Sequence, residues 1–276
     1  LMFSSANSIN WGRLAPQIIY YISAYATLVK DAEIKAGDKI NIVVPTGNFG
    51  NILAAYYAKN MGLPVNKLIC ASNSNKVLTD FLTTGVYDRN RDFITTISPS
   101  MDILISSNLE RLLYIMTGYN DAQIREWFGQ LSSTGKYEVS DDIKAKLKEE
   151  FSAGFCTDAE TKDTIKRIFD KYSYTLDTHS AVAVKVYEDY KSATGDTTKT
   201  VIASTASPYK FSASVLEAIE GKKSDLDEYD MIDKLHELSG YDIPESLAAL
   251  RTKPVRFSKV ISKDEQKNYV LSELGL

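Results

Sequence analysis

The strongest constraint on this chain is a repeated unit: a short, unbroken apolar run that ends in a polar turn and passes straight into a helical pattern. Lys39–Val44 (KINIVV) is one such run, with Gly37-Asp38 before it and Pro45 after. The helical stretch Ile52–Gly62 follows, closed by Gly62 with Pro64 just beyond, an arrangement that stops a helix. Lys67–Ser72 (KLICAS) is the next run and Lys76–Gly85 the next helix, ended by Gly85. An apolar run without alternation suits a strand buried on both faces. Strand, helix, strand, helix at this spacing predicts an α/β fold with a parallel sheet and right-handed crossovers.

The flanking regions read differently. Gly12–Ala32 has the pattern of a helix with an apolar face, broken or started near Pro16. From about Ser98 to Tyr174 helical periodicity dominates, in SSNLERLLYIM, DAQIREWFGQL, SDDIKAKLKEEF and TDAETKDTIKRIFDKY, with few strand candidates. Thr157 or Asp158 can cap the last of these. Strand-like and helical segments resume with AVAVKVYEDYKSA, TVIAST and SPYKFSASVLEAI, and the charged tail beyond Lys222 has one more helix around Asp230–Leu238.

Charge and composition exclude several functions. A net charge of −4, with no basic run longer than Lys222-Lys223, is the opposite of the clustered positive surface a nucleic acid requires. No apolar stretch approaches the roughly 20 residues that span a bilayer, and nothing at the start reads as a signal peptide. The two cysteines, Cys70 and Cys156, are far apart and lack metal-ligand spacing. Cys70 lies within an apolar run and is expected to be a buried thiol, in keeping with a reducing, cytoplasmic compartment. No metal site is expected. The chain opens on motif-like sequence without an initiator methionine, which reads as a protein cut in the middle.

Chemistry is expected beyond the carboxyl ends of the strands, where loops lead into helices. Gly47-Asn48-Phe49-Gly50-Asn51 sits at such a place. Its glycines let backbone approach an anion, and the free N–H groups and dipole of a helix start favour phosphate. It lacks the Gly-Lys-Ser/Thr ending of a Walker loop and the G-x-G-x-x-G spacing, so an ordinary strand-to-helix turn stays open. Ser204-Thr205-Ala206-Ser207, ahead of Pro208, ends another strand, and its hydroxyls suit a ring nitrogen, an anion or a helix cap. Lys210 nearby fits a Schiff-base lysine or a solvated one. In Ser4–Arg13 (SSANSINWGR), Asn7 or Ser8 can simply cap the helix that follows, whereas Ser8, Asn10 and Arg13 together suit a doubly charged phosphate, with Arg13 donating in two prongs. His179, before an Ala/Val helix, is a catalytic candidate or a packed one, and His236 reads as a helix-surface residue.

Together these stretches resemble threonine synthase, in particular its fungal and bacterial branch. The resemblance rests on Asn7-Ser8-Ile9-Asn10 with Arg13, on Pro45–Asn51, on Ala71-Ser72-Asn73-Ser74-Asn75, and on Phe81-Leu82 with Gly85 and Tyr87. It continues through Ser98–Leu113, the Leu176–Val182 and Ser204–Phe211 elements, Pro244-Glu245 and Lys253–Phe257, in order over essentially the whole chain.

The resemblance implies a three-layer, parallel-sheet pyridoxal-phosphate enzyme of fold type II. The cofactor-binding core would come from residues 1–100 and 175–220, with a helical insertion at 101–174 and a mixed C-terminal segment at 221–276. The reaction it implies converts O-phospho-L-homoserine and water to L-threonine and phosphate. Gly47, Asn48, Phe49, Gly50 and Asn51 would bind the cofactor phosphate. Thr205 would face the pyridine nitrogen, where a neutral hydroxyl leaves that nitrogen unprotonated. Ser8, Asn10 and Arg13 would meet the substrate phosphate. The family's Schiff-base lysine lies in an F-K-D motif that this sequence lacks, so no catalytic residue is assigned here; the lysine is expected upstream of Leu1, and the chain alone is expected to be inactive. Other readings are a different fold-type-II lyase, such as a threonine dehydratase, or a lysine-less paralogue that binds a phospho-ligand. A monomer and a homodimer are both compatible with the sequence.

Overall fold

The structure, a computed structural model, describes residues 6–276. The described residues up to Ser239 form one compact unit, and Gly240–Leu276 form a second.

The first unit is built on a four-stranded sheet of β1 (Ile40–Pro45), β2 (Val65–Ser72), β5 (Phe151–Phe155) and β6 (Thr200–Ile202), in the order β5-β2-β1-β6 and parallel throughout. Every residue of β1 is buried, as its unbroken apolar run requires of a central strand. Alternate side chains serve two cores. Ile40, Ile42, Val44, Leu68 and Cys70 pack on one face with Leu53 of α3 (Gly50–Asn60), Phe81 of α4 (Val77–Thr84) and Leu147 of α7 (Asp141–Glu150). Val43, Ile69 and Ala71 face the other way, onto Val182, Ala183 and Val186 of α9 (Thr178–Thr194). The expected three layers are present.

The remaining helices of this unit surround that frame: α1 (Trp11–Leu14) and α2 (Ile18–Lys30) before the sheet, α5 (Leu109–Met116), α6 (Asp121–Thr134) and α8 (Asp158–Tyr172) in its middle, and α10 (Ser212–Glu220) and α11 (Glu228–Ser239) after it. A separate antiparallel pair, β3 (Val86–Asp88) and β4 (Lys136–Glu138), is held by Tyr87 and Tyr137, whose rings stack 5.4 Å apart.

The structure divides the chain differently from the sequence-based expectations in two places. The segment 101–174 is not purely helical. It supplies β4 and also β5, the edge of the main sheet, because helical periodicity stops at Glu150 and Phe151 begins pairing with Leu68. The tail boundary also moves, from residue 221 to Gly240. Helix α11 buries Ile232 and Leu235 and belongs to the first unit. The second unit holds α12 (Glu245–Ala248) and α13 (Gln266–Glu273) and buries none of its residues.

Candidate functional site

At the carboxyl end of β1 the chain makes a turn in which the carbonyls of Gly47, Asn48 and Phe49 are occupied and the amides of Gly47–Asn51 are not. Thr46 ties the turn to the sheet, its N–H donating to the Ala71 carbonyl at 2.8 Å and its hydroxyl to the Val44 carbonyl at 2.7 Å. The Ser106 hydroxyl donates to the Gly47 carbonyl at 2.9 Å. Asn108 donates twice to the Asn48 carbonyl, from its backbone N–H at 3.1 Å and its side-chain amide at 2.9 Å. The Phe49 carbonyl accepts from Leu53 inside α3. With their carbonyls pulled away, the N–H groups of Gly47, Asn48, Phe49, Gly50 and Asn51 find no acceptor among the described residues.

Three features fix this conformation. A Cβ on Gly47 would lie 2.6 Å from the Ser100 carbonyl oxygen and 3.1 Å from the Met101 Cα, so only glycine fits against that backbone. A Cβ on Gly50 would meet the Asn108 amide at 3.4 Å. Phe49, the residue that starts α3, adopts φ 63°, a left-handed conformation that costs a non-glycine residue about 1–2 kcal/mol. Its ring is 1% exposed and packs 5.9 Å from the Phe151 ring, burial large enough to offset that strain. The phenylalanine is the pin that holds the turn.

The amides open into a cavity of about 310 Å³. It is lined by the turn itself and by Ser8, Arg13, Ser100, His179, Thr205 and Lys210, among others. Among the described residues, two cations and no carboxylate lie on its wall. The partial positive charge of the α3 start adds to theirs, so the cavity is built for anions.

The predicted residues divide in how they reach this cavity. Gly47–Asn51, Thr205, Ser8 and Arg13 all line it. Asn10 does not: its side-chain oxygen caps α1, accepting from Gly12 N–H at 2.8 Å, a role expected of Asn7 or Ser8. Arg13 is exposed at the rim and donates to the Ala6 carbonyl. Ser8 is joined to the cradle, its hydroxyl 3.3 Å from that of Ser107, which in turn donates to the Asn48 side-chain oxygen at 3.3 Å. Thr205 sits exposed at the mouth. Ser207 caps the turn at Pro208–Phe211, accepting from Tyr209 N–H. Ser4 and Ser5, which open the same polar stretch as Ser8, lie outside the described residues.

Sequence reasoning missed several participants. Ser106 and Asn108 aim the cradle, and Ser100 walls it. The Tyr21 hydroxyl donates to the Asn51 side chain from inside the core, where burial pushes the phenol well above its ordinary pKa. Lys210, open between two readings from sequence, lines the cavity while remaining solvent-exposed.

Known proteins share this arrangement of elements. Residues 180–270 match the family described as threonine synthase, C-terminal. Human threonine synthase-like 1 is 44% identical over 223 residues, 80% of this chain and 30% of that protein. The crystal structure of threonine synthase from yeast aligns with a TM-score of 0.81 at 34% identity, covering 98% of this chain and 53% of the other. The crystal structure of PLP-bound threonine synthase from Brucella melitensis gives 0.74 at 39% identity, over 87% and 48%. The chain therefore spans half or less of most of these relatives, 30% to 53% of their length. Its parallel α/β sheet is the fold of those solved structures, and the chain belongs to the threonine synthase family.

Proposed function

We propose that this chain forms the cofactor cradle and the substrate-phosphate side of a threonine synthase, which converts O-phospho-L-homoserine and water to L-threonine and phosphate using pyridoxal phosphate. The observation that carries this reading is the row of amides at Gly47–Asn51 that find no acceptor among the described residues, facing a cavity to which those residues bring Arg13 and Lys210 and no carboxylate. A phosphate dianion satisfies those donors and the charge together.

When bound, pyridoxal phosphate supplies the electron sink for carbanion chemistry on the amino acid. The residues of this chain hold and orient. The Gly47–Asn51 amides take the cofactor phosphate, and Thr205 offers the pyridine nitrogen a neutral hydroxyl. Ser8 and Arg13 take the substrate phosphate, whose departure is eased when a guanidinium holds its charge. Asn10 acts behind them, fixing the first turn of α1 and with it the place of Arg13. The covalent lysine is not among these groups, and the complete reaction is proposed for a polypeptide of the relatives' length. A cytoplasmic setting belongs to the same proposal. Both cysteines are buried free thiols, their pKa pushed up by burial to about 12 for Cys70 and about 11 for Cys156. Among the described residues no helix is long and apolar enough to cross a membrane.

The test is to give the full-length gene product O-phosphohomoserine and, separately, threonine. Phosphate release with threonine formed from the first supports the synthase reading. Oxobutyrate from threonine alone assigns a dehydratase instead. Tight cofactor binding without either product assigns a phospho-ligand-binding protein.

A further inference from the structure

The sequence ASNSN, Ala71–Asn75, belongs to the family resemblance, yet neither asparagine touches the cavity. Asn73 is 1% and Asn75 4% exposed, and both side chains donate to one carboxylate. Asp102 Oδ1 accepts from Asn73 Nδ2 at 2.7 Å, from Asn75 Nδ2 at 3.0 Å and from the Thr96 hydroxyl at 2.7 Å. Its Oδ2 accepts from the Thr96 N–H at 2.9 Å. Asn73 also donates to the hydroxyls of Thr96 and Ser98, at 2.9 and 3.1 Å. The end of β2 thus grips both ends of the segment Thr96–Asp102.

The middle of that segment is held from the opposite layer. His179, 3% exposed at the start of α9, accepts the Ser100 N–H on its Nε2 at 3.2 Å. Its Nδ1 faces Asp177 Oδ1 and the Thr178 hydroxyl, each at 3.4 Å. Asp177 is itself fixed by accepting from the His179 and Ser180 N–H groups. A proton on Nδ1, beside that carboxylate, leaves Nε2 as the acceptor Ser100 needs. The imidazole is also packed against the Phe211 ring, with centroids 4.8 Å apart.

What these anchors position is the Ser100–Met101 backbone, the surface against which Gly47 has no room for a Cβ. That backbone is one wall of the cavity and the opposite side of the cradle's first amide. We propose that His179 is a positioning residue of the phosphate cradle, working with the Asp102–Asn73–Asn75 cluster. By clamping Ser100 from the α9 side, it sets where the Gly47 and Asn48 amides point. The inference rests on the reading of Gly47–Asn51 as the cofactor-phosphate site. It assigns His179 no proton transfer: the ring acts through a backbone hydrogen bond, and an error of an ångström in such a wall is enough to spoil ligand alignment.

The test uses the full-length gene product with His179→Leu, His179→Gln and Asp102→Asn. The readouts are the Kd of pyridoxal phosphate and, separately, of inorganic phosphate, together with Tm. His179→Leu should weaken both ligands about tenfold, the scale on which outer-shell partners act. His179→Gln, whose side-chain oxygen can still accept from Ser100, should recover most of that loss. Asp102→Asn should weaken both ligands in the same direction and lower Tm as well. Wild-type affinity in His179→Leu overturns the proposal, as does a loss in both His179 variants that simply follows Tm. If the wild-type protein binds neither ligand, it is the cofactor reading itself that fails, and the brace falls with it.

Discussion

Two neighbouring strands of one sheet end in asparagine-rich turns and are put to opposite uses. The turn after β2 closes on itself: Asn73 and Asn75 spend their side chains on Asp102, Thr96 and Ser98, and the Asn75 N–H donates to Asn73 Oδ1 at 2.9 Å. The turn after β1 closes only its carbonyls, through Ser106 and Asn108, and leaves its amides open to a cavity. Buried polar groups must find partners, so the first turn is complete as it stands and the second leaves its amides for water or a ligand. Being next to one another makes the pair useful, since the closed turn supports the wall that shapes the open one.

The largest expected effect breaks the open turn. Gly47→Ala forces a Cβ to within 2.6 Å of a backbone oxygen that no side-chain rotation can move. Either the Ser100 wall or the cradle must shift. Pyridoxal phosphate affinity should fall about a hundredfold, the cost of an ångström of misplacement, with a much smaller change in unfolding free energy. Titration of the cofactor by absorbance against a urea melt separates the two. Equal affinity in the variant would mean that the amides of Gly47–Asn51 are not the phosphate site.

The closed turn should answer in the opposite currency. Asn73→Ala removes a buried side chain that donates to Asp102, Thr96 and Ser98 and leaves those oxygens short of a partner. Unfolding free energy should drop by about 2 kcal/mol, the scale of an unsatisfied buried polar group. Cofactor affinity, measured where the variant is still folded, should fall less than in Gly47→Ala. A variant that binds a hundredfold weaker while keeping full stability would erase the distinction between the two turns.

Legibility in the sequence follows how local each feature is. β1 and β2 were readable because an unbroken apolar run next to a glycine stop is a signal carried within a few residues. β5 was not, because Phe-Ser-Ala-Gly-Phe has little strand character. Its Gly154 is explained only by Val186 of α9, whose Cγ1 would lie 2.9 Å from a Cβ there. The cradle was readable at its glycines. The residues that aim it, Ser106 and Asn108, were not, because their partners lie about sixty positions away in the chain. Asn10 is ambiguous for a related reason: a residue ahead of a helix serves equally as a cap or a ligand contact, and the structure shows its oxygen capping α1.

Arg13 extends the comparison to a group that belongs to neither turn. It lines the cavity from α1, exposed, and its guanidinium donates to the Ala6 carbonyl. Under the proposed function it meets the substrate phosphate and not the cofactor. Arg13→Gln should therefore raise KM for O-phosphohomoserine about tenfold, the lower range for a hydrogen bond to a charged group, and leave cofactor affinity unchanged. A cofactor Kd that moves as far as KM would place Arg13 at the cradle.

The smallest expected effect lies at a third strand end, after β6, where Thr205 stands exposed at the cavity mouth. Here the turn offers a side-chain hydroxyl, where the β1 turn offers fixed backbone. An exposed hydroxyl competes with water for its partner, so its net hydrogen bond is worth only about 0.5–1.5 kcal/mol. Thr205→Val, which keeps the shape and removes the hydroxyl, should weaken pyridoxal phosphate about threefold, near the bottom of that range. Thr205→Ser should stay close to wild type, because the oxygen is retained. If the valine variant binds as tightly as wild type, the hydroxyl does not meet the cofactor ring and the contribution of this strand end is one of shape. A serine variant as weak as valine would point to the threonine methyl group, whose loss the valine variant does not share, and would call for an apolar contact at the mouth.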